Sequence, residues 1–308
     1  MLLVRKNQIE NIILYLIVLL PIFFITGPFL PDLVITLSAI YCLYIIISKK
    51  KIFIVDNLNI KNIYIFLFSF WVFIVFSSIV SNYTIPSLKT SLFYVRFIFF
   101  LILLNYLLNK YEKKLLRFFF YSSSFGLFFL IFDAFVQYFF GFDLFMYEKP
   151  YQRLTATFGD EQIVGSFISK FMPFYVGLLV LLEKNKNLIF FTIIISCIIT
   201  FLSGERSATF YVVLYSLILL FLLNVNNKKK FLIFWLFIFA VYSSFLTFDK
   251  DLRKRHLSSF ETIFDNEDKK ITIFSEAHEF HYLSAYQIFL DNKFIGIGPK
   301  GYRYECGK

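Results

Sequence analysis

Two short polar motifs contain the side chains of this sequence that are best placed to bind an anion. The first motif is RLTATFGDEQIVGSF at 153–167, and it leads into a long apolar run. If a helix begins there, its first amides carry partial positive charge, and Arg153 adds a full positive charge beside them. The motif therefore predicts an anion site at a helix N-terminus, or else an ordinary helix start near Glu161 that Thr157 or Asp160 caps.

The second motif, SGERSATF at 203–210, places a single cation among small residues between two apolar runs. Arg206 is a candidate ligand for an anion, and the small side chains that follow it would let a neighbouring helix approach closely. The alternative is a simple ion pair between Arg206 and Glu205 at the membrane surface. Either arrangement predicts that this motif lies where a helix meets water.

A third stretch, from His278 to Cys306, predicts a helix over about 276–290 followed by a glycine-rich turn. Its Gly-x-Gly-x-x-Gly spacing follows a helix rather than a strand, so it is not a dinucleotide-binding motif. His278 and His281 could contribute to a metal site, but no third ligand accompanies them in the sequence. We therefore expect neither a metal ion nor another cofactor.

Apolar helices must carry these motifs, because 58% of the 308 residues are hydrophobic and the mean hydropathy is +0.70. A soluble protein cannot bury that much apolar surface, so lipid must be the solvent for most of the chain. The predicted fold is all-α: a polytopic membrane protein with a transmembrane bundle over 1–247 and part of a large outer loop over 248–308. The nine predicted spans are 9–28, 31–48, 62–80, 86–108, 115–140, 161–182, 187–203, 207–224 and 231–247.

Lysine and arginine clusters indicate the orientation of these spans. Basic residues are concentrated before the first span and in every even-numbered connection, whereas the odd-numbered connections contain few. Because cytoplasmic loops carry the excess of positive charge, the N-terminus is predicted to be cytoplasmic and both anion-binding motifs to face outward. The net charge of +10 therefore reflects membrane orientation, and we expect membrane lipid rather than nucleic acid as a partner.

Three ionisable residues lie inside predicted spans, where a charge is costly and therefore suggests function. At about 1.5 Å per residue, Arg96, Asp133 and Lys170 lie at similar depths of about 12–15 Å from the outer surface. They could line one outward-opening polar cavity. Alternatively, Arg96 and Asp133 form an ion pair between neighbouring helices, while Lys170 extends its ammonium group to the membrane surface.

Taken together, the three motifs resemble those of the O-antigen ligase and O-antigen polymerase superfamily of bacterial inner membranes. The first is similar to that family's Arg…Gly/Ala-Thr-Phe-Gly-Asp segment, and FLSGERSATFYVVL is similar to its Ser/Thr-Gly-x-Arg-Ser/Gly segment. AYQIFLDNKFIGIGPKGYR resembles a stretch of the family's large periplasmic loop. The resemblance covers about 85–308, and it implies a multi-pass inner-membrane protein with 248–308 in the periplasm.

The resemblance implies a glycosyltransferase that moves a glycan from a polyprenyl-diphosphate carrier to an acceptor hydroxyl. The acceptor is a lipid A–core sugar for ligases and a growing glycan for polymerases, and these residues do not distinguish the two. No metal is needed, because diphosphate is already a good leaving group. Arg206 matches the family's arginine and is expected to contact the diphosphate, with His278 in the position of a second periplasmic arginine and Arg153 as a third contact.

Two departures from the family pattern bear on activity. Glu161 and Gln162 stand where many relatives have Pro-Asn. The family's histidine-containing stretch, which supplies the general base, and its closing transmembrane helices would follow Lys308. We therefore expect a truncated chain that binds the carrier lipid but lacks full activity, with a cysteine beyond Lys308 as the candidate partner of Cys306.

Two other functions stay open at this point. A transporter or flippase of a lipid-linked oligosaccharide would bind the same anionic lipid. Such proteins typically show two related halves with broken helices, and this sequence shows no such repeat. A membrane scaffold without chemistry is the remaining hypothesis.

Overall fold

The structure, a computed structural model, describes residues 8–49, 58–150, 153–222, 228–264 and 276–306. Within these ranges the protein is all-helical, as the sequence predicts, apart from turns and one isolated bridge between Phe142 and Glu148. The helices are α1 (Gln8–Phe23), α2 (Phe29–Lys49), α3 (Leu58–Val80), α4 (Thr84–Phe93), α5 (Val95–Phe140), α6 (Val164–Leu181), α7 (Lys186–Leu202), α8 (Arg206–Leu222), α9 (Lys228–Phe248), α10 (Lys250–Phe264), α11 (Glu276–Asp291) and α12 (Gly301–Glu305).

Several of these helices are long and apolar enough to cross a membrane. In the described part of the chain there are five, and a sixth is added if the bent pair formed by α9 and α10 counts as one span. α7 and α8 are also apolar, but each has only 17 residues. These helices indicate a membrane protein. The nine spans, their orientation and the division at 247/248 remain predictions. The five helical segments that are long and apolar enough to cross a membrane are Gln8–Thr26, Phe29–Ser48, Ile60–Val80, Thr84–Phe140 and Val164–Leu181.

The segment Thr84–Phe140 covers two of the predicted spans and is interrupted between them. Glu112 has φ 39° and ψ −127°, which lies outside the helical region, so α5 consists of two helices joined at this residue. A positive φ is strained for a residue that carries a Cβ. The break lies within the polar sequence NKYEKK at 109–114, where the sequence also predicts a connection between spans.

A second break separates α9 from α10, whose axes differ by 111°. Asp249 stands at the bend, and its Oδ1 accepts hydrogen bonds from the amides of Asp251 and Leu252, both at 3.0 Å. These bonds satisfy free amides of the first turn of α10, so Asp249 is a side-chain cap that starts a helix in a new direction. Its Oδ2 accepts a bond from the Tyr138 hydroxyl at 3.0 Å, which fixes the bend to the end of α5.

The chain divides into two compact units. The first comprises Met1–Ile13, Asp32–Lys110 and Phe260–Lys308, and the second comprises Leu14–Pro31 and Tyr111–Ser259. In the second unit, α6 packs against α7 and α8. The core at these contacts includes the fully buried residues Ile168, Met172, Ile193 and Val212. The second unit therefore contains both motifs: the first leads into α6, and the second covers the α7–α8 connection.

In the first unit, the glycine-rich turn after α11 is bound by three serine hydroxyls of α3, α4 and their connection. Ser77 donates to the Ile295 carbonyl at 2.7 Å, Ser81 to that of Ile297 at 2.6 Å, and Ser87 to that of Pro299 at 2.9 Å. We call these three residues the serine ladder. The bonded carbonyls belong to alternate residues of the turn, so one side of the turn faces the ladder. The predicted helix over 276–290 and the turn that follows it are confirmed.

Candidate functional site

The first and second motifs meet at the carboxylate of Glu205. Its Oε1 accepts a hydrogen bond from the Gly165 amide at 2.7 Å, and its Oε2 accepts bonds from the amide and the hydroxyl of Ser166 at 3.1 and 2.5 Å. Glu205 is only 7% exposed. A buried carboxylate from the second motif therefore satisfies the free amides at the start of α6, which belongs to the first motif.

This arrangement corrects the expected start of the helix that follows the first motif. α6 begins at Val164 rather than near Glu161, and its N-cap residue Ile163 makes no side-chain capping bond. Thr157 and Asp160 do not cap it, because Glu205 supplies the carboxylate instead. The positive end of the helix dipole is thus neutralised by the chain itself, so the predicted anion site at this N-terminus is wrong.

Close packing explains why small residues surround the Glu205 contact. A Cβ on Gly165 would lie 2.5 Å from the Ser203 hydroxyl oxygen, 3.0 Å from Glu205 Oε1 and 3.1 Å from the Ala208 Cβ. Only glycine lets α6 approach the α7–α8 connection this closely. The small residue Ala208 of the second motif therefore accommodates a neighbouring helix, as the sequence predicts, and that helix is α6.

Arg206 is the first residue of α8, next to Glu205 in sequence. The alternative of an Arg206–Glu205 ion pair is wrong, because both carboxylate oxygens bind the start of α6. Nη1 of Arg206 is buried and has no hydrogen-bond partner among the described residues. A guanidinium nitrogen without an acceptor is costly, so this Nη1 is a candidate donor to an anionic or polar ligand.

α10 brings further nitrogen donors to the same connection. Arg255 Nε donates to the Gly204 carbonyl at 3.3 Å, and His256 Nε2 lies 3.0 Å from the Phe201 carbonyl. The His256 ring also stacks on the Phe201 ring, with centroids 4.4 Å apart and 7° between the planes. Because a carbonyl only accepts, Nε2 carries the proton in that bond. Two arginines and a histidine therefore surround the turn between α7 and α8.

The other two residues of the predicted diphosphate site are Arg153 and His278. Arg153 is half-buried at the beginning of the first motif, and its amide donates to the Pro150 carbonyl at 3.4 Å. His278 lies in α11 of the first unit, and its side chain is outside the described part of the structure. The grouping of Arg153, Arg206 and His278 around one ligand therefore stays a prediction.

The three ionisable residues predicted at membrane depth have different surroundings. Arg96 forms an ion pair with Asp32, and its Nη1 also donates to the Thr36 hydroxyl at 3.1 Å. The predicted alternative of an ion pair between Arg96 and Asp133 is therefore wrong, because Arg96 pairs with Asp32. Asp133 is fully buried and accepts from the Leu144 amide at 2.7 Å, and Lys170 is exposed on α6. The shared cavity of these residues stays a prediction.

Gln137 of α5, which belongs to none of the three sequence motifs, contacts the first motif. Its Oε1 accepts from the amides of Thr155 and Ala156 at 2.8 and 2.9 Å, and its Nε2 donates to the Thr155 hydroxyl at 3.0 Å. All of these atoms are buried, so Gln137 holds the first motif in place. A glutamine inside an apolar span was the signal that could have identified it.

The tail holds a small polar cluster around Cys306, whose thiol is free. The thiol donates to the Tyr302 hydroxyl at 3.2 Å, and Tyr302 in turn donates to the His281 carbonyl at 3.2 Å. The bond from Cys306 raises the pKa of Tyr302, and this exposed phenol stays protonated at neutral pH. In the described ranges, no group of three or more histidine, cysteine, aspartate or glutamate side chains could hold a metal ion.

Comparison of this chain with protein-family models, curated proteins and solved structures found no match.

Proposed function

We propose that this protein is a membrane glycosyltransferase of the O-antigen ligase or polymerase type, acting at the outer face of a bacterial inner membrane. Its donor would be a glycan on a polyprenyl diphosphate, and its acceptor a sugar hydroxyl of lipid A–core or of a growing glycan. The observation that carries the proposal is the buried Nη1 of Arg206, which has no hydrogen-bond partner in the part of the chain that the structure describes. It supports the proposal because a diphosphate is the kind of acceptor that a guanidinium group binds best.

The contacts of Glu205 strengthen this argument. Glu205 is the nearest anion in sequence, but its two oxygens are committed to Gly165 and Ser166. The charge of Arg206 is therefore not neutralised by its neighbour. Arg255, which contacts the Gly204 carbonyl, adds a second guanidinium at the same turn. The positive charge at this turn suits an anionic ligand.

In the proposed reaction, the bond between the anomeric carbon and the diphosphate oxygen breaks, and a bond from that carbon to the acceptor oxygen forms. The carrier leaves as polyprenyl diphosphate, and the acceptor hydroxyl loses its proton to a general base. Arg206 would stabilise the negative charge that grows on the departing diphosphate. We assign only this donor half of the reaction to the described residues.

Binding measurements on one variant and its control test the proposal. The purified protein in lipid nanodiscs is titrated with a polyprenyl diphosphate, and we expect Arg206→Gln to weaken binding at least about tenfold, because charge-assisted hydrogen bonds are lost. Arg253→Gln is the matched control, since Arg253 is an exposed cation on α10. Equal affinities for the wild-type protein and Arg206→Gln would contradict the proposal.

A transporter or flippase of a lipid-linked oligosaccharide is the second candidate, and the break between α9 and α10 favours it. Broken helices at a binding site are frequent in transporters, and these two helix axes differ by 111°. In cells whose surface polysaccharide depends on this protein, Arg206→Gln separates the two functions. Lipid-linked glycan that accumulates at the outer face supports transfer, and accumulation at the inner face supports transport.

A further inference from the structure

Two aspartates of the second unit are fully buried and incompletely satisfied. Asp133 lies in α5, and Asp143 lies in the short hairpin that follows this helix; both are 0% exposed. The Oδ2 atom of each carboxylate has no hydrogen-bond partner among the described residues. Such orphaned atoms are rare in folded proteins, and an ion that satisfies them is one of the few explanations.

The hydrogen bonds of the two carboxylates show that they are neighbours. The Leu144 amide donates to Asp133 Oδ1 at 2.7 Å, and the amide of the next residue, Phe145, donates to Asp143 Oδ1 at 2.9 Å. Consecutive residues are only about 4 Å apart along the chain. The two carboxylates therefore accept from adjacent amides of one short backbone segment, which brings them close together.

The hairpin holds this arrangement against α5. The Tyr147 amide also donates to Asp143 Oδ1, at 2.8 Å, and the Lys149 amide closes the hairpin on the Gly141 carbonyl at 2.8 Å. α5 ends at Phe140, so the bond from Leu144 to Asp133 requires the hairpin to fold back along about two turns of the helix. The bond from Leu144 to Asp133 is thus a polar contact between α5 and the hairpin, while Asp143 bonds within the hairpin.

If both carboxylates are ionised, charge balance calls for a positive partner. Three backbone amides donate to the two Oδ1 atoms, and such bonds favour the ionised form of a carboxylate. Two negative charges side by side, both removed from water, repel each other strongly and lose their hydration. A cation between the two Oδ2 atoms would remove both penalties.

We propose that Asp133 and Asp143 bind one hard divalent cation of the calcium type through their Oδ2 atoms. A charge of +2 balances two carboxylates, and Ca²⁺ accepts irregular sets of oxygen ligands that include backbone carbonyls. Two carboxylates alone are too few for such an ion, so hairpin carbonyls or water complete the coordination. Mg²⁺ suits the pair less well, because it keeps several waters in a strict octahedron and both carboxylates are fully buried.

The cation would also order the first motif. Gln137, which holds Thr155 and Ala156, lies one helical turn after Asp133 on α5. Asp133 and Gln137 therefore face the same side of the helix. A cation that fixes the hairpin on that side would fix the start of the segment that leads into the first motif. This inference stands independently of the proposed glycosyl transfer.

Calcium alone is the probe for the test, with the full chain purified in detergent and stripped with a chelator. We expect one Ca²⁺ ion per chain in equilibrium binding with radioactive calcium, and saturating Ca²⁺ to raise Tm by about 5 °C. Asp143→Asn should lose both effects. Asp160→Asn is the matched control, because Asp160 is an exposed carboxylate of the same unit, and it should keep both.

Three results would overturn the cation site. One is absence of calcium binding by the wild-type protein, which is decisive even if Asp143→Asn fails to fold. Another is calcium binding that Asp133→Asn and Asp143→Asn both retain. The third is a wild-type Tm that does not change when calcium is added, together with an asparagine variant that is more stable than wild type. That result would indicate a proton shared by the two carboxylates.

Discussion

Glu205 caps a helix that lies far from it in the sequence. Its carboxylate binds Gly165 and Ser166 at the start of α6, forty positions before it in the chain. The sequence indicates that Arg206 is a candidate ligand and that small residues allow close helix packing. It cannot indicate which carboxylate caps which helix, because capping by a distant side chain leaves no local spacing to recognise.

Glu205 and Arg206 should therefore give opposite results when each is changed to glutamine. Glu205→Gln points an amide group at N–H donors, and we expect the free energy of unfolding to fall by about 1–3 kcal/mol. Arg206→Gln removes a nitrogen, Nη1, that has no partner among the described residues, so stability should stay within about 0.5 kcal/mol of wild type. Denaturant unfolding in detergent measures both. A loss of stability in Arg206→Gln as large as that in Glu205→Gln would mean that Arg206 is structural.

Gly165 should tolerate no side chain. We expect Gly165→Ala to lower the free energy of unfolding by about 1–3 kcal/mol, because the added Cβ would lie 2.5 Å from the Ser203 hydroxyl oxygen. Gly177 in the same helix is the control, since its Cβ would meet nothing within 4 Å. Gly177→Ala should leave stability unchanged or raise it by up to about 1 kcal/mol. Equal losses in the two variants would show that packing against Ser203 does not matter.

At the scale of elements, the tail is bound by residues that lie far away in the sequence. The serine ladder holds the carbonyls of Ile295, Ile297 and Pro299. Helix α11 and the glycine-rich turn are predictable, because apolar spacing and clustered glycines are local signals. The ladder is not predictable, because isolated serines in apolar helices most often bond to carbonyls of their own helix.

Alanine substitutions at Gly298 and Gly296 separate the effect of the serine-ladder contact from the effect of backbone conformation. Both have positive φ, +75° and +73°, but a Cβ on Gly298 would lie 2.9 Å from the Ser87 hydroxyl oxygen and one on Gly296 would meet nothing. We expect Gly298→Ala to release the turn, so that trypsin cleaves at the exposed Lys293 and Lys300 several-fold faster. Gly296→Ala, with the same backbone strain, should show a smaller increase. Equal rates in the two variants would contradict a role for the ladder contact.

For the whole molecule, composition alone is enough to predict an all-helical membrane protein, because a mean hydropathy of +0.70 leaves no aqueous fold for this chain. The number of spans is harder to predict, since a run of apolar residues does not show whether its helix crosses the bilayer. α7 has 17 residues, which at about 1.5 Å each extend about 25 Å, slightly less than the hydrocarbon thickness of about 30 Å. The nine-span topology depends on whether α7 crosses.

Two cysteine variants decide this point in a background that lacks the three native cysteines. Lys186 stands at the start of α7 and Ser207 follows its end, and both are exposed. If α7 crosses, a membrane-impermeant thiol reagent should label Ser207→Cys in intact cells and Lys186→Cys only after the membrane is opened. That pattern would place Arg206 at the outer surface, where the proposed donor lipid is available. Labelling of both variants from one side would mean that α7 and α8 form a re-entrant pair. The loss of two crossings would leave the predicted orientation of every later helix unchanged, but Arg206 would not lie at the outer surface.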